Sequence, residues 1–223
     1  GSEMCIRDSF KGSLSISVGV QEMVRSDIGS SGVAFTLDTE SGYRGSIFIT
    51  SSYGLGEGIV QGTVNPDEFY VFKEALKKNN FPIIKKSLGE KAKKMIFADN
   101  NLPGKSVKYV KVPKKEAKEY SLTNNEIIEL ANYAKTIEDH YKVPMDIEWA
   151  RDGKDKKIYI LQARPETVQS KVSNYFERYT LKEKGELIVS GKSVGQKIGA
   201  GTAKVVKDIS VSYTHLRAHE TSL

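Results

Sequence analysis

Two short segments constrain this chain most: Met145-Asp146-Ile147-Glu148-Trp149 and Tyr159-Ile160-Leu161-Gln162-Ala163-Arg164-Pro165. Each alternates apolar and polar residues, the period of a strand with one buried face. Between them, Arg151-Asp152-Gly153-Lys154-Asp155-Lys156 supplies turn-forming glycine and aspartate. The pair therefore predicts an antiparallel hairpin. With Glu148 set opposite Ile160, the side chains of Asp146, Glu148, Gln162 and Arg164 share one face. Carboxylates and an amide oxygen suit a hard cation such as Mg²⁺, and a planar guanidinium beside them suits phosphate oxygens. A metal–triphosphate complex uses that mixture. The plain alternative is a sheet edge with its polar residues turned to solvent.

At 223 residues the chain can hold one large domain, or one domain and part of another. Its 39% hydrophobic and 28% charged residues suit a soluble globular protein. No apolar run approaches the ~20 residues of a membrane span, and no signal-peptide core is evident, so neither membrane nor export is expected and a cytoplasmic location is simplest. A lone Cys5 excludes an internal disulfide framework and a cysteine-based zinc site. The net charge of +6 includes lysine clusters at Lys77-Lys78, Lys85-Lys86 and Lys91 to Lys94, which read as solvated faces. No element interleaves basic and aromatic residues as a nucleic-acid surface does, so no nucleic-acid partner is expected.

Residues 1–9 and 210–223 resemble translated adaptor sequence and are set aside as non-native tails. That removes His215 and His219, whose spacing mimics a helical metal pair but lacks a third ligand. Between the tails, strands are expected at 16–20, 33–37 and 46–50, forming a meander. A glycine-rich stretch at 52–62 follows, without the Gly-Lys-Ser/Thr ending of a P-loop. Further strands are expected at 68–73, 81–86 and 107–112, with a short helix around 91–97. The clearest helix spans 124–141, where Thr123 and Glu126 make a capping box. Ile127, Leu130, Ala134, Ile137 and Tyr141 form its apolar stripe, and Pro144 forbids continuation. His140, near its end, reads as structural. Residues 168–184 read as a linker, and the glycine-separated strands from 185 to 209, opening with Glu186–Val189, as the start of a second, β-rich domain.

Together with the hairpin, Val20-Gln21-Glu22-Met23-Val24, Phe35 to Gly42, Tyr53-Gly54-Leu55-Gly56-Glu57 and Val64-Asn65-Pro66-Asp67-Glu68-Phe69 give the chain a close resemblance to the phosphoenolpyruvate synthase (pyruvate, water dikinase) family. The resemblance covers roughly residues 11 to 208. Pyruvate, phosphate dikinases and rifampicin phosphotransferases share the architecture but match these segments less closely.

The resemblance implies an α+β fold. Residues 10–167 would be the later part of an ATP-grasp-like domain, a mainly antiparallel sheet with flanking helices, followed by the beginning of a β-rich swivelling domain. It implies ATP as substrate with Mg²⁺, a phosphohistidine relay, and pyruvate as acceptor reached only through domains outside this chain. It leaves a homo-oligomeric parent open. Carried over by position, Gln21, Glu22, Met23 and Val24 are a hinge strand whose backbone reads the adenine edge. Glu57 faces ribose or phosphates, Glu148 and Gln162 bind Mg²⁺, Arg164 clamps the γ-phosphate, and Asp146 supports that shell. The family's first ATP subdomain, its phosphoacceptor histidine and its barrel have no counterpart here, so the expectation is a fragment unable to complete the reaction. Other readings are a fragment of a related dikinase or rifampicin-type phosphotransferase, or a non-catalytic nucleotide-binding module.

Overall fold

The computed structural model describes residues 18–78, 81–98, 106–166, 180, 185–188 and 201. The chain divides into two compact units, residues 1–176 and 177–223. Apart from 180, 185–188 and 201, the expected tails, the linker at 168–184 and the segment 185–209 lie outside the described residues. Glu186–Ile188, expected to open a strand, lies in neither helix nor strand. Leu187 and Ile188 are 80% and 90% exposed there, so no described surface takes up an apolar strand face.

Six strands form one antiparallel sheet in the order β4-β3-β2-β1-β7-β8. They are β1 (Ser30–Phe35), β2 (Ser46–Tyr53), β3 (Asp67–Phe72), β4 (Ile83–Ser87), β7 (Met145–Arg151) and β8 (Ile158–Pro165). A separate pair joins β5 (Lys93–Phe97) to β6 (Val107–Lys111). The helices are α1 (Glu57–Val60), α2 (Lys73–Lys78), α3 (Lys114–Ala117) and α4 (Asn124–Tyr141). The fold class is thus mixed α and β with a mainly antiparallel sheet, as expected.

Helix α4 spans the residues predicted for it. Thr123 Oγ1 accepts the Glu126 N–H at 3.3 Å, and the Glu126 carboxylate accepts the Thr123 N–H at 2.8 Å. At the other end Lys142 adopts a left-handed φ of 61° and donates its N–H to Glu138. Arg151 of β7 also holds Glu126, tying the start of the helix to the sheet. Ile127, Leu130, Ala131 and Ala134 of α4 bury fully in a cluster with Ala34, Ile47, Ile49, Phe69, Val71, Met145, Ile147 and Trp149. Each large side chain so buried contributes about 1.5–3 kcal/mol of transfer free energy. This cluster fixes which face of every central strand turns inward.

Three expectations are corrected. Residues Val18 to Arg25 lie outside any strand, so neither 16–20, as far as it is described, nor the hinge at 21–24 is a strand. A strand needs a neighbour for its N–H and C=O groups. The sheet's edges are β4 and β8, neither pairs with this segment, and Val18 and Val20 are 83% and 96% exposed. The meander is therefore β1 to β4. The stretch around 91–97 is strand β5 rather than helix. Its Ala-Lys-Lys-Met composition favours a helix locally, but tertiary contacts win. Met95 is buried, and its carbonyl accepts the Leu55 N–H at 2.9 Å. Gly54 permits this approach: its φ is +89°, and a Cβ there would stand 2.5 Å from Met95 O.

The third correction concerns Lys91, expected on a solvated face. Its side chain is fully buried, and its ammonium pairs with the equally buried Asp67. The Asp67 carboxylate also accepts the Gly89 N–H at 2.9 Å and the Ser121 N–H and hydroxyl, each at 2.8 Å. One carboxylate thus stitches the start of β3 to the loops at 89–91 and 121. Removing one partner of a buried pair strands the other charge, at a cost of about 3–5 kcal/mol. Asp67→Ala should therefore lower the urea midpoint strongly, followed through the emission of the single tryptophan, Trp149. Adding Lys91→Met should recover much of the loss. An unchanged midpoint in the single variant would contradict the network's role.

Candidate functional site

Strand β7 enters the sheet under close control. The Thr36 hydroxyl accepts the Met145 N–H at 2.8 Å, and the Thr36 N–H donates to Met145 O at 3.0 Å. The nearly buried Lys73 donates to Thr36 O at 2.5 Å and lies 2.7 Å from the Glu138 carboxylate. Burial pushes the Lys73 ammonium below its ordinary pKa, and Glu138 partly restores it. With Met145, Ile147 and Trp149 turned into the core, the intervening Asp146 and Glu148 must face the other way.

On β8, Arg164 stands opposite Asp146 and Gln162 opposite Glu148. Directly opposed residues share a face with Cβ atoms about 4.5–5.5 Å apart. The four side chains therefore project together, as the alternation implied. The assumed register was two residues out, because Ile160 pairs with Trp149 beyond a bulge. The bulge leaves Leu161 as an extra residue, which reverses the parity of β8. Ile158 and Ile160 accompany the core face while Gln162 and Arg164 turn to the other. Strict alternation would have put all four of these even-numbered residues together.

Asp146 is nearly buried and accepts a hydrogen bond from Arg164 Nε at 2.8 Å, with Nη2 of the same guanidinium 2.7 Å from its carboxylate. The guanidinium itself stays 63% exposed. That hydrogen bond, with the carboxylate's charge, raises the pKa of Arg164 further. The result is a permanent cation aimed along the open face by a carboxylate at its base. Glu148 is half-buried and Gln162 exposed.

The same face continues across the sheet. Val33 lies opposite Glu148 and Phe35 opposite Asp146 on β1. Thr50 and Phe48 follow on β2, then Glu68 and Tyr70 on β3. Phe35, Phe48 and Tyr70 form a ladder with ring centroids 6.4 and 4.8 Å apart. These residues escaped the sequence reading, although the alternation in β1 and β3 assigns them to this face once the sheet order is known. Helix α4 packs on the opposite side of the sheet.

The remaining candidates lie at the borders of this face. Glu57 begins α1, is exposed and accepts from Gln61 Nε2 at 2.7 Å. Gly56 before it borders the Ser31 side chain, which lies opposite Ala150 and one step along the face from Glu148. Gln21, Glu22 and Met23 are exposed, and Val24 is half-buried. Arg25 ties this segment to the hairpin tip: its N–H donates to Asp152 at 2.9 Å, and its carbonyl accepts from Gly153 at 3.0 Å. A cleft of about 320 Å³ results, lined by Glu22, Met23, Val24, Asp152, Lys154, Asp155 and Tyr159. Tyr159 is a further residue the sequence reading missed.

The family described as pyruvate phosphate dikinase, AMP/ATP-binding domain, matches residues 6–184. The chain belongs to this family. It is 54% identical over 198 residues to a phosphoenolpyruvate synthase of Pseudomonas aeruginosa (strain UCBPP-PA14), covering 88% of this chain and 25% of the relative. Identity to the phosphoenolpyruvate synthase of Escherichia coli (strain K12) is 52% over 197 residues, with the same coverage. For that of Pyrococcus furiosus it is 38% over 199 residues, covering 87% of this chain and 23% of the relative. The chain thus spans about a quarter of the length of the curated relatives it matches.

Within this dikinase domain, no group of three or more His, Cys, Asp or Glu side chains forms a metal cluster among the described residues. The hairpin instead offers one carboxylate and one amide oxygen side by side, a pair that suits a cation keeping most of its ligands as water or phosphate. None of the described helices is long and apolar enough to cross a membrane.

The Asp146–Arg164 pair is open on the guanidinium side, so its loss should cost stability little, within about 1 kcal/mol. Asp146→Ala should leave the thermal midpoint nearly unchanged while the Arg164 Nε–H proton exchanges faster with water, read by NMR. An unaltered exchange rate would show that Asp146 does not hold the guanidinium.

Proposed function

We propose that this segment supplies part of the Mg·ATP site of a pyruvate, water dikinase, a reading supported by relatives named phosphoenolpyruvate synthase. The carrying observation is the row formed by Glu148 opposite Gln162 and Arg164 held by Asp146, on the sheet face that α4 leaves open. In this reading the sheet and its helices are the later half of an ATP-grasp-like clamp. Residues 168–184 are a linker, and 185–209 begin the swivelling domain.

Phosphoryl transfer asks for positioning and charge neutralisation more than for covalent chemistry. Glu148 and Gln162 would hold Mg²⁺, which when bound would neutralise charge on the phosphate oxygens. Arg164 clamps the γ-phosphate and offsets charge on the two outer phosphates as they part from AMP. Asp146 keeps the guanidinium extended and oriented, so little rotamer freedom is lost on binding. The linker Gln21 to Val24 offers its backbone to the adenine edge, and Glu57 faces the ribose or phosphates at the far border of the site. Because AMP is the nucleotide product, the bond between the α- and β-phosphates breaks: the two outer phosphates pass together to a histidine, water releases one of them, and the other passes to pyruvate, on domains beyond this chain. The relatives at 52–54% identity are phosphoenolpyruvate synthases, which favours pyruvate over a drug-type acceptor.

The test places this segment in the Pseudomonas aeruginosa relative in place of its matching quarter and follows AMP formed from ATP and pyruvate. Arg164→Ala in that enzyme should lower turnover on the order of 10² to 10³, as loss of comparable electrostatic donors does, while nucleotide binding persists. Undiminished turnover would refute the assignment. Alone, the 223-residue chain offers only part of the clamp and should bind Mg·ATP weakly. A micromolar Kd by titration calorimetry would contradict this.

A further inference from the structure

The cleft between the Glu22–Val24 linker and the hairpin tip contains an aromatic side chain to which nothing above gives a role. Tyr159 stands opposite Ala150 on β8, which places it on the face that carries Glu148 and Gln162. It is 39% exposed. Its hydroxyl donates to the Asp155 carboxylate at 2.6 Å, so the ring is anchored at its polar end within the hairpin turn. Met23 and Val24 line the same cleft with a thioether and a branched alkyl group. At about 320 Å³ the space is near the lower limit of small-ligand pockets, about 300–1,000 Å³.

Charge orients what enters. Three carboxylates, Glu22, Asp152 and Asp155, line the cleft against one ammonium, Lys154. A triphosphate is repelled there, whereas a neutral heteroaromatic ring is not. The exposed cation Arg164 lies at the other end of the same strand face. At about 3.3 Å per residue, Tyr159 and Arg164 are separated by up to roughly 16 Å, the bulge at Leu161 shortening the path. That span matches an extended nucleoside triphosphate with its metal site at Gln162 between the ends.

We propose that Tyr159 is a base-stacking residue, its ring forming one wall of a purine slot and Met23 and Val24 another. The assignment rests on the Mg·ATP reading above but adds a specificity residue on β8, so that one strand receives the nucleotide lengthwise: base, metal, terminal phosphate. Stacking of a base on an aromatic ring is worth about 1–3 kcal/mol by alanine substitution, roughly 5- to 150-fold in affinity.

The experiment uses the 223-residue chain in NMR titrations, with adenosine in one arm and Mg²⁺ with tripolyphosphate in the other. Adenosine at millimolar concentration should move the Tyr159 ring protons upfield. Tyr159→Ala should weaken that binding at least about 5-fold. Tyr159→Phe, which keeps the ring but loses the Asp155 bond, should bind within about 2-fold of the parent, since the stacking energy resides in the ring. A merely structural tyrosine would give the opposite result, with Phe as damaging as Ala and both lowering the thermal midpoint. Adenosine that leaves the Tyr159 ring unmoved overturns the proposal. If Mg²⁺–tripolyphosphate still shifts the Gln162 and Arg164 side-chain signals, the Mg·ATP reading survives that result; if those stay silent, it falls as well.

Discussion

Burying Met145, Ile147 and Trp149 beneath helix α4 leaves Asp146 and Glu148 no choice of direction, because successive strand residues alternate between faces. Everything at the site inherits its geometry from that constraint. Strand β7 is central, flanked by β1 and β8, so its register carries the polar row both ways across the sheet. A slip of one residue would exchange the core set for the charged set. The slip is opposed by the whole apolar cluster and by the Thr36 bonds to Met145 at the strand's first residue.

The polar groups fall into two kinds. Asp67, Lys91 and Ser121, and the chain from Thr36 through Lys73 to the half-buried Glu138, are satisfied within the protein and join segments distant in sequence. Arg164, Gln162 and Tyr159 are anchored by a register position or a carboxylate at one end and open at the other. The first kind stiffens the scaffold. The second leaves donors, acceptors and a ring surface facing outward at spacings the backbone sets.

Much of this was legible in the chain itself. The hairpin, helix α4 with its capping box, and the common face of Asp146, Glu148, Gln162 and Arg164 followed from periodicity and turn chemistry, since each depends on residues close in sequence. Strand β5 did not: only the distant Gly54 and Leu55 reveal why a helix-favouring stretch is extended. Lys91 is one lysine among several by composition, and its burial depends on Asp67, 24 residues away. The bulge at Leu161 left no mark in the alternation. It preserved the predicted face only because the true register differed from the assumed one by an even number. The linker at Val18 to Val24 read as a strand because its residues suit one, whereas pairing is a property of the sheet.

The bulge in β8 has a consequence beyond the site. Among the described residues no strand pairs with the outer edge of β8, so its N–H and C=O groups form a row there that another chain's extended segment could copy. The extra residue bends this margin and breaks the regular spacing such copying requires. The charge of Arg164 and the ring closure of Pro165 guard its far end. The irregularity that separates Ile160 from Gln162 thus also protects the protein from intermolecular sheet growth.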